Sequence, residues 1–235
     1  MDNGDLNWIV PHKFIAFSGP QSAQYDADHN RTFTPEDYAP IFKKMGVTTV
    51  VRLNKEQYDR NRFLKRGIKH HDLYFLDGSV PKDDIIRKFL DMAEGSSGAM
   101  AIHCKAGLGR TGSLIALYCM KHFRIPAPYF IGWIRICRPG SILGPQQHFL
   151  IEKQDIMFRE GEIFRKERAD SLQADFTTQL DLGVESSPVS SASTSSPASM
   201  SPVDAKKARD GEAYQGDKLN QAKREKFSSP KSYLK

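Results

Sequence analysis

The chain has 235 residues, of which 39% are hydrophobic, and it carries a formal net charge of +6 at pH 7. This content suffices for one sizeable core, and no segment approaches the roughly 18 consecutive apolar residues that a membrane span requires. Most of the charge lies in residues 206–235, which contain nine Lys or Arg and four Asp or Glu. Because the rest of the chain is nearly neutral, we expect neither a nucleic-acid partner nor a membrane partner.

The cysteines are few and scattered along the chain. Cys104, Cys119 and Cys137 do not form the pattern of a disulfide framework, which favours a reducing compartment. Cys119 and Cys137 lie in apolar, helix-like contexts and are predicted to be ordinary core residues. Residues 1–5 are polar and acidic, unlike the start of a secretory signal peptide.

Apolar segments with the length of strands alternate with longer amphipathic segments. Glycine, proline and helix-capping residues separate them, and Thr34 followed by Pro35 predicts a helix start. In chain order we predict an entry segment at 8–11, strands at 14–17, 47–53, 68–75 and 99–102, and helices at 35–45, 58–66, 82–94, 113–122, 130–136 and from 145 onward. This alternation predicts an α/β domain with a central, mostly parallel sheet flanked by helices. In such sheets the ligand site lies beyond the carboxyl ends of the strands.

The last predicted helix carries two series of apolar residues that recur every seven positions. We interpret both series as part of a stripe that faces the core. The two series are Phe149, Ile156, Ile163 and Leu150, Met157, Phe164.

The composition changes after about residue 170, which predicts a folded domain at 1–169 and a tail at 170–235. Nine of the sixteen residues from 186 to 201 are serine, and the remainder of the tail is charged. Such a segment cannot bury enough apolar surface to fold, so we predict that the tail is disordered.

Two patterns in the tail are typical of nuclear transport signals. Basic residues at 206–209 and 223–226 indicate import signals, with a solvated charged tail as the alternative. Four apolar residues follow the spacing of a leucine-rich export signal, with a continuation of the last helix as the alternative. They are Leu172, Phe176, Leu180 and Leu182. These patterns predict nuclear transport receptors as partners.

Residues 102–112 indicate the end of a buried strand, a tight loop and the start of a helix. A helix N-terminus leaves backbone N–H groups unpaired, and successive N–H groups in front of it form a nest that binds anions. Glycine allows such a loop to fold closely around its ligand. The residues predicted to bind an anion in this way are Lys105, Ala106, Gly107, Leu108 and Gly109.

Three side chains in this segment complete the chemistry of phosphoryl transfer. Cys104 lies at the bottom of the nest, where a thiolate is favoured over a thiol. Arg110 presents a planar fork that matches two oxygens of a phosphate group. Thr111 can donate a hydrogen bond to the sulfur and help it to leave again. The spacing His-Cys-(five residues)-Arg-Thr is the signature of the protein tyrosine phosphatase superfamily. The alternative interpretation of Cys104 is a buried structural cysteine in front of a helix.

Further motifs along the chain resemble those of one family within this superfamily. They are Asn7 to Pro11, Phe14 to Phe17, Arg52 to Lys55, His70 to Leu73, Asp77 to Ser79, His103 to Gly112, Arg135 to Ser141 and Gly144 to Gln147. From about residue 5 to 168, the chain resembles the catalytic half of the cell-division-cycle-fourteen family of dual-specificity protein phosphatases. The resemblance implies a protein tyrosine phosphatase-like catalytic domain at 1–169.

The resemblance also implies catalytic roles. Cys104 is then the nucleophile, Arg110 the phosphate clamp and Asp77 the general acid, while Gln146 and Gln147 position the hydrolytic water. An independent argument favours an acid on a Gly-flanked loop, because the departing alkoxide needs a proton. Other carboxylates remain candidates for that acid, namely Asp72, Asp83 and Asp84. We expect no metal or cofactor, since the arginine and the nest supply the countercharge.

Members of this family act on phosphotyrosine and favour phosphoserine followed by proline with a basic residue further on, as left by cyclin-dependent kinases. The resemblance thus implies a role in cell division, in the nucleus and cytoplasm or at the nucleolus, centrosome or spindle. The family carries a second phosphatase-like domain before the segment that matches Asn7. Because the chain starts at Met1, we expect the chemistry to be retained and the selectivity to be reduced. An inositol-lipid phosphatase and a non-catalytic phosphopeptide-binding scaffold are the alternatives.

Overall fold

The computed structural model describes residues 4–182, with side chains up to residue 173. The described residues form five strands and six helices in the predicted order, except that the predicted entry segment at 8–11 lies mostly within a fifth strand. They are β1 (Leu6–Val10), β2 (Phe14–Phe17), α1 (Pro35–Lys44), β3 (Val47–Arg52), α2 (Asn61–Leu64), β4 (Lys69–Asp72), α3 (Asp83–Gly95), β5 (Ala99–His103), α4 (Gly109–Phe123), α5 (Ala127–Cys137) and α6 (Pro145–Leu182).

The strands form one sheet in the order β1-β2-β5-β3-β4. The edge strand β1 is antiparallel to β2, and all other neighbours are parallel, which confirms the predicted mostly parallel sheet. β5 is the central strand, so both its edges are hydrogen-bonded. Its last residue, His103, is in register with Phe17 of β2 and Arg52 of β3, and Arg52 is in register with Asp72 of β4. The segment that follows β5 therefore emerges at the middle of the carboxyl edge.

Helices cover both faces of the sheet. Successive strand residues point to opposite faces, so Phe14 packs in one core while Phe17 packs in the other. On the first face, the core takes large side chains from α3 to α6, namely Phe89, Leu114, Leu117, Phe130, Ile134 and Leu150. On the second face, α1 and α2 contribute Tyr38, Phe42 and Phe63. The central strand β5 and its neighbour β2 are buried along their whole length and are almost continuously apolar, whereas the edge strands β1 and β4 carry polar and partly or fully exposed residues.

Several elements differ in length from their predictions. The strand predicted at 68–75 is limited to Lys69–Asp72, and the helix predicted at 130–136 begins at Ala127. The helix predicted at 58–66 is reduced to Asn61–Leu64, because tertiary contacts hold its first residues instead. The Tyr58 carbonyl accepts a hydrogen bond from Nη1 of the buried Arg52 at 2.6 Å, and the Tyr58 ring is buried. Helix α4 begins at Gly109, earlier than the predicted start at residue 113, so the last part of the nest is already helical.

Helix α6 passes through the predicted domain boundary at 169/170 and continues to Leu182. No glycine or proline interrupts residues 162–182, so nothing in the backbone ends the helix there. This agrees with the alternative that Leu172 and its apolar partners continue the last helix. The remainder of the predicted disordered tail, with both basic segments, lies outside the described residues.

The apolar stripe predicted along α6 is only partly correct. Phe149, Leu150 and Met157 are buried, and Phe164 packs edge-on against His122. Ile156 and Ile163 are exposed, because α6 rests on its neighbours with one side only. Within the described part of the chain, no helix is both long enough and apolar enough to cross a membrane.

Candidate active site

Cys104 directly follows the central strand β5 and is 3% exposed. The next four residues form a loop that leads into the N-terminus of α4 at Gly109. We call residues 104–109 the phosphate loop. A buried strand on one side and a buried helix on the other hold its two ends, so the loop has little freedom of its own. The thiols of Cys119 and Cys137 lie in helices, where burial raises their pKa values.

The carbonyl oxygens of residues 104–107 all accept hydrogen bonds from the surrounding protein, on the convex side of the phosphate loop. The Cys104 carbonyl accepts from His103 Nδ1 at 2.9 Å, the Lys105 carbonyl from the Gly19 N–H at 2.9 Å, the Ala106 carbonyl from Arg138 Nη2 at 2.8 Å and the Gly107 carbonyl from Arg138 Nε at 2.9 Å. In a trans peptide the N–H points away from the C=O of the same unit. The N–H groups of residues 105–108 are thus directed to the concave side of the loop, which is the geometry of an anion-binding nest.

Gly107 makes this path of the backbone possible, and Gly109 leaves room for the Gln146 side chain. Gly107 has a φ of +67°, and a Cβ built there would lie 2.0 Å from the Phe17 carbonyl oxygen. A Cβ on Gly109 would lie 2.7 Å from Gln146 Oε1. Any larger residue at Gly107 would therefore be strained and would push the loop away from β2. Both positions confirm the tight loop that the sequence predicts.

Arg138, which follows α5, is the main support of the loop and was not assigned a role from the sequence. It is 4% exposed and donates to two loop carbonyls, as described above. Its other donors reach Asp5 at 2.6 Å and Asn7 Oδ1 at 2.7 Å. A charge-assisted network of this kind is stable only when all its members are paired. Arg138 occurs in the Cys-Arg-Pro-Gly-Ser motif that carries the family resemblance, which was the available signal.

Arg110 lies in the first turn of α4 with its guanidinium buried over the loop. Nη1 donates to the carbonyls of Leu53 and Phe75 at 3.2 and 3.1 Å. Nη2 lies 3.1 Å from Asp77 Oδ1, and Nε is buried without a hydrogen-bond partner among the described residues. Nε and Nη2 form the same edge of the guanidinium, the edge that binds two oxygens of a phosphate. One donor of that edge is thus unoccupied, and the other is held by a carboxylate.

Asp77 is the one candidate acid that the structure brings to the phosphate loop. Its side chain is 71% exposed and meets Arg110 from the solvent side. The rival carboxylates are engaged elsewhere: Asp72 pairs with Arg52 at 2.6 Å, Asp83 with Lys153 at 2.6 Å and Asp84 with Lys88 at 3.8 Å. An exposed carboxylate at the mouth of the site can reach the leaving group of a bound ester.

The two predicted glutamines are separated by the structure. Gln146 is 2% exposed and lies against the loop at Gly109. Its Nε2 donates to the Ser79 carbonyl at 3.1 Å, which ties the segment of Asp77 to the phosphate loop. Gln147 is half-buried and accepts a hydrogen bond from Arg135 Nη2 at 3.0 Å. Gln146 is therefore placed to contact a bound anion or water, whereas Gln147 is held by α5.

The remaining predicted site residues differ in burial and in the groups that they present to the site. Thr111 is buried, and in the part of the chain that the structure describes its Oγ1 has no hydrogen-bond partner. The hydroxyl is thus free to donate to the sulfur but does not do so in this structure. The side chains of Lys105 and Ala106 are exposed, and that of Leu108 is half-buried. These three residues contribute to the nest through their backbone N–H groups.

The chain is similar to a family of known phosphatase domains. Residues 3–149 match the model described as "Swiss Army Knife protein, DSP-PTPase phosphatase domain". The curated "Dual specificity protein phosphatase CDC14A" of Mus musculus is 57% identical over 165 residues, which cover 70% of this chain and 27% of that protein. The "Tyrosine-protein phosphatase cdc-14" of Caenorhabditis elegans is 47% identical over 154 residues, which cover 66% of this chain and 22% of that protein. The chain thus spans about a quarter of the length of these relatives.

Solved structures with the same fold include "Crystal structure of Tk-PTP in the active form", with a TM-score of 0.53, 17% identity and coverage of 64% of this chain and 95% of that chain. Another is "Crystal Structure of PTPMT1 in complex with PI(5)P", with a TM-score of 0.54, 18% identity and coverage of 65% and 96%. These neighbours confirm the predicted protein tyrosine phosphatase-like fold.

Proposed function

The chain belongs to the family of the DSP-PTPase phosphatase domain, and from this premise we propose that it is a cysteine-dependent protein phosphatase of dual specificity. The observation that carries the proposal is the phosphate loop, in which every carbonyl of residues 104–107 accepts a hydrogen bond on the convex side. Cys104 and the unpartnered Nε of Arg110 lie at the same loop. Together they form a preorganised site for a phosphate group and a nucleophile beside it.

In the first step of the proposed reaction, the Cys104 thiolate attacks the phosphorus atom of a phosphoester. The sulfur–phosphorus bond forms and the bond from phosphorus to the leaving oxygen breaks, with Asp77 donating a proton to that oxygen. The loop N–H groups and Arg110 bind the equatorial oxygens, where charge develops in the transition state. Asp77 must leave Nη2 of Arg110 before two phosphate oxygens can occupy the same edge.

In the second step a water molecule attacks the cysteinyl phosphate. Its proton goes to the Asp77 carboxylate, the sulfur–phosphorus bond breaks, and the thiolate and inorganic phosphate are released. Gln146 is the glutamine placed to orient this water, since it contacts the loop at Gly109. The buried Thr111 hydroxyl can stabilise the sulfur as it leaves.

We propose phosphoproteins as substrates, and among them phosphoserine followed by proline, as produced by cyclin-dependent kinases. The support is the similarity to proteins named dual specificity phosphatases CDC14A and CDC14B, of 57% and 53% identity. An inositol lipid is the competing substrate class, since a structural neighbour is titled as a complex with PI(5)P. Leu108 disfavours it, because a second cation at that position would suit a polyphosphorylated head group.

The decisive test compares the wild-type chain with Cys104→Ser on p-nitrophenyl phosphate. We expect turnover in the wild type and a loss on the order of 10³-fold or more in the variant, with Cys119→Ser as the matched control that retains activity. Equal activity of the wild type and Cys104→Ser would contradict the proposal. A phosphoserine-proline peptide with a downstream lysine, the same peptide without it, and a phosphoinositide then distinguish the substrate classes.

Cell-division control in the nucleus and cytoplasm, or at the nucleolus, centrosome or spindle, is proposed on the family name and on the patterns in the tail. A fluorescent reporter fused to residues 170–235 tests the transport signals. Enrichment in the nucleus that is lost when residues 206–209 are replaced by alanine is expected. An even distribution of the intact fusion would contradict a role for nuclear transport receptors.

A further inference from the structure

Beneath the phosphate loop, three buried side chains form a line of hydrogen bonds that the proposed mechanism does not use. His103 Nδ1 contacts the Cys104 carbonyl at 2.9 Å, and its Nε2 contacts the Tyr58 hydroxyl at 2.7 Å. The same hydroxyl contacts His70 Nε2 at 2.9 Å. The three residues come from β5, from the segment before α2 and from β4, so only the folded sheet brings them together.

The direction of each hydrogen bond follows from elementary chemistry. A carbonyl oxygen only accepts, so His103 Nδ1 must carry a proton. Desolvation lowers the pKa of His103 to about 3, so the ring is neutral and Nε2 is an acceptor. The Tyr58 hydroxyl therefore donates to His103, and burial raises the Tyr58 pKa, which retains that proton.

The hydrogen bond between His70 and Tyr58, at the other end of the line, is consistent with the same donor-to-acceptor direction. Because the Tyr58 proton is directed to His103, its oxygen accepts from His70 Nε2–H. The neutral His70 then has no proton on Nδ1, which is buried without a hydrogen-bond partner and lies 3.8 Å from Asp72. Desolvation also lowers the pKa of His70, to about 4. The line thus runs from His70 through Tyr58 and His103 to the carbonyl of the nucleophile.

The last bond of the line sets the first donor of the nest. The Cys104 carbonyl and the Lys105 N–H belong to one planar peptide unit and point in opposite directions. Holding the carbonyl outward therefore directs the Lys105 N–H inward, towards the bound phosphate. A donor on the carbonyl also polarises the peptide and strengthens the N–H as a donor.

We infer that Tyr58 is a positioning residue of the phosphate loop, which acts through His103 to direct the Lys105 N–H at the bound oxyanion. For its kinetic readout the inference rests on the proposed phosphatase function. Tyr58 does not itself contact the loop backbone through its hydroxyl, so its contribution must pass through the imidazole of His103. Its ring also packs on Phe63, on His70 and under Arg52, and these contacts survive replacement by phenylalanine.

The first experiment measures Tyr58→Phe against Tyr118→Phe, a matched removal of a hydroxyl from a buried ring of α4. Tyr58→Phe is expected to lower kcat for p-nitrophenyl phosphate roughly tenfold, equivalent to about 1.4 kcal/mol, and to weaken tungstate binding by a similar factor. Tyr118→Phe should change both by less than about twofold. Equal effects of the two variants would overturn the inference.

A double-mutant cycle separates positioning through His103 from a general effect on structure. In a His103→Asn background, Tyr58→Phe should cost less than about twofold in tungstate affinity, because the intermediary has been removed. A cost that remains roughly tenfold in that background would overturn the inference. The tungstate measurement needs no turnover, so a chain without phosphatase activity would defeat the proposed function and still leave this test decisive.

Nitrogen NMR of the histidine side chains reads the hydrogen bonds directly. The wild type should show His103 protonated at Nδ1, with Nε2 as a hydrogen-bonded acceptor. In Tyr58→Phe the Nε2 resonance should move to the position of an unbonded imidazole nitrogen. An Nε2 resonance that is unchanged in Tyr58→Phe, or a wild-type His103 protonated at Nε2 alone, would overturn the inference.

Discussion

The two sides of the active site are built in opposite ways. On the inner side, the phosphate loop is held by buried groups, with Arg138 and His103 bonded to its carbonyls. On the outer side, Asp77 is 71% exposed and meets the site through one ion pair with Arg110. Two hydrogen bonds also hold the segment around Asp77: Arg110 Nη1 donates to the Phe75 carbonyl, and Gln146 Nε2 donates to the Ser79 carbonyl.

This difference corresponds to the two tasks of the proposed reaction. Stabilising charge in the transition state requires donors that are fixed before the substrate arrives, since reorganisation would cost free energy. Delivering a proton requires a group that can move away from Arg110 when the phosphate enters and return to the leaving oxygen. We therefore expect substitutions on the inner side to affect stability and all substrates, and substitutions on the outer side to affect selected steps.

The largest effect is expected for Arg138→Met, which removes a buried charge and leaves two loop carbonyls and Asp5 without their partner. The free energy of unfolding should fall by about 3–5 kcal/mol, as measured by urea denaturation. Arg124→Met is the control, since Arg124 is exposed and its contacts with Glu162 and the Phe158 ring lie on the surface. A loss for Arg138→Met no larger than the control would show that the loop does not depend on this support.

The second effect concerns the pH dependence of stability and tests the inner side again. The pKa values of His70 and His103 are lowered in the folded state to about 4 and about 3, mainly by desolvation. Between pH 6.5 and these values the unfolded chain binds protons that the folded chain does not, so the stability present at pH 7 decreases as the pH falls. Each histidine contributes up to about 1.4 kcal/mol per pH unit.

Urea denaturation at pH 7, 6 and 5 measures this slope. His70→Phe should show a shallower decrease than the wild type, because one of the two buried imidazoles has been removed. His71→Phe is the matched control, since His71 is the exposed neighbour on the same strand. A wild-type stability that is constant from pH 7 to 5 would contradict the neutral state of both buried rings.

The third effect tests the outer side through Asp77→Ala. Hydrolysis of a phosphoserine peptide should slow on the order of 10²-fold, because a serine alkoxide leaves poorly without a proton. Hydrolysis of p-nitrophenyl phosphate should slow by less than about tenfold, since its leaving group needs little protonation. Asp84→Ala serves as control and should behave as the wild type. Equal losses of Asp77→Ala on both substrates would exclude Asp77 as the general acid.

The smallest effect is expected for Gln146→Ala, which removes one of the hydrogen bonds that hold the segment of Asp77 beside the phosphate loop. Losing its hydrogen bond to the Ser79 carbonyl should lower kcat about fivefold, in line with about 1 kcal/mol for one hydrogen bond. Gln147→Ala should change kcat by less than about twofold, because Gln147 is directed to Arg135. A larger loss of kcat for Gln147→Ala than for Gln146→Ala would show that Gln147 positions the water.

The residues from Cys104 to Thr111 could be predicted from the sequence because they are neighbours along the chain. Their spacing, the glycines between them and the flanking strand and helix specify a loop whose geometry is mostly local. The same local logic identified the alternation of strands and helices and hence the mostly parallel sheet. Helix α6 shows the limit of that logic, because seven-residue spacing did not distinguish the buried Met157 from the exposed Ile156.

Only the tertiary structure determines which residues, distant along the sequence, support the phosphate loop through hydrogen bonds. Arg138 bonds to a carbonyl 31 positions away, and Tyr58 bonds to an imidazole 45 positions away. It also decided that Asp77, of four candidate carboxylates, meets Arg110, since the other three have partners elsewhere. The physical reason is that a buried polar group needs a hydrogen-bond partner, which can come from any part of the folded chain. The spacing of residues along the sequence does not predict which distant groups become neighbours.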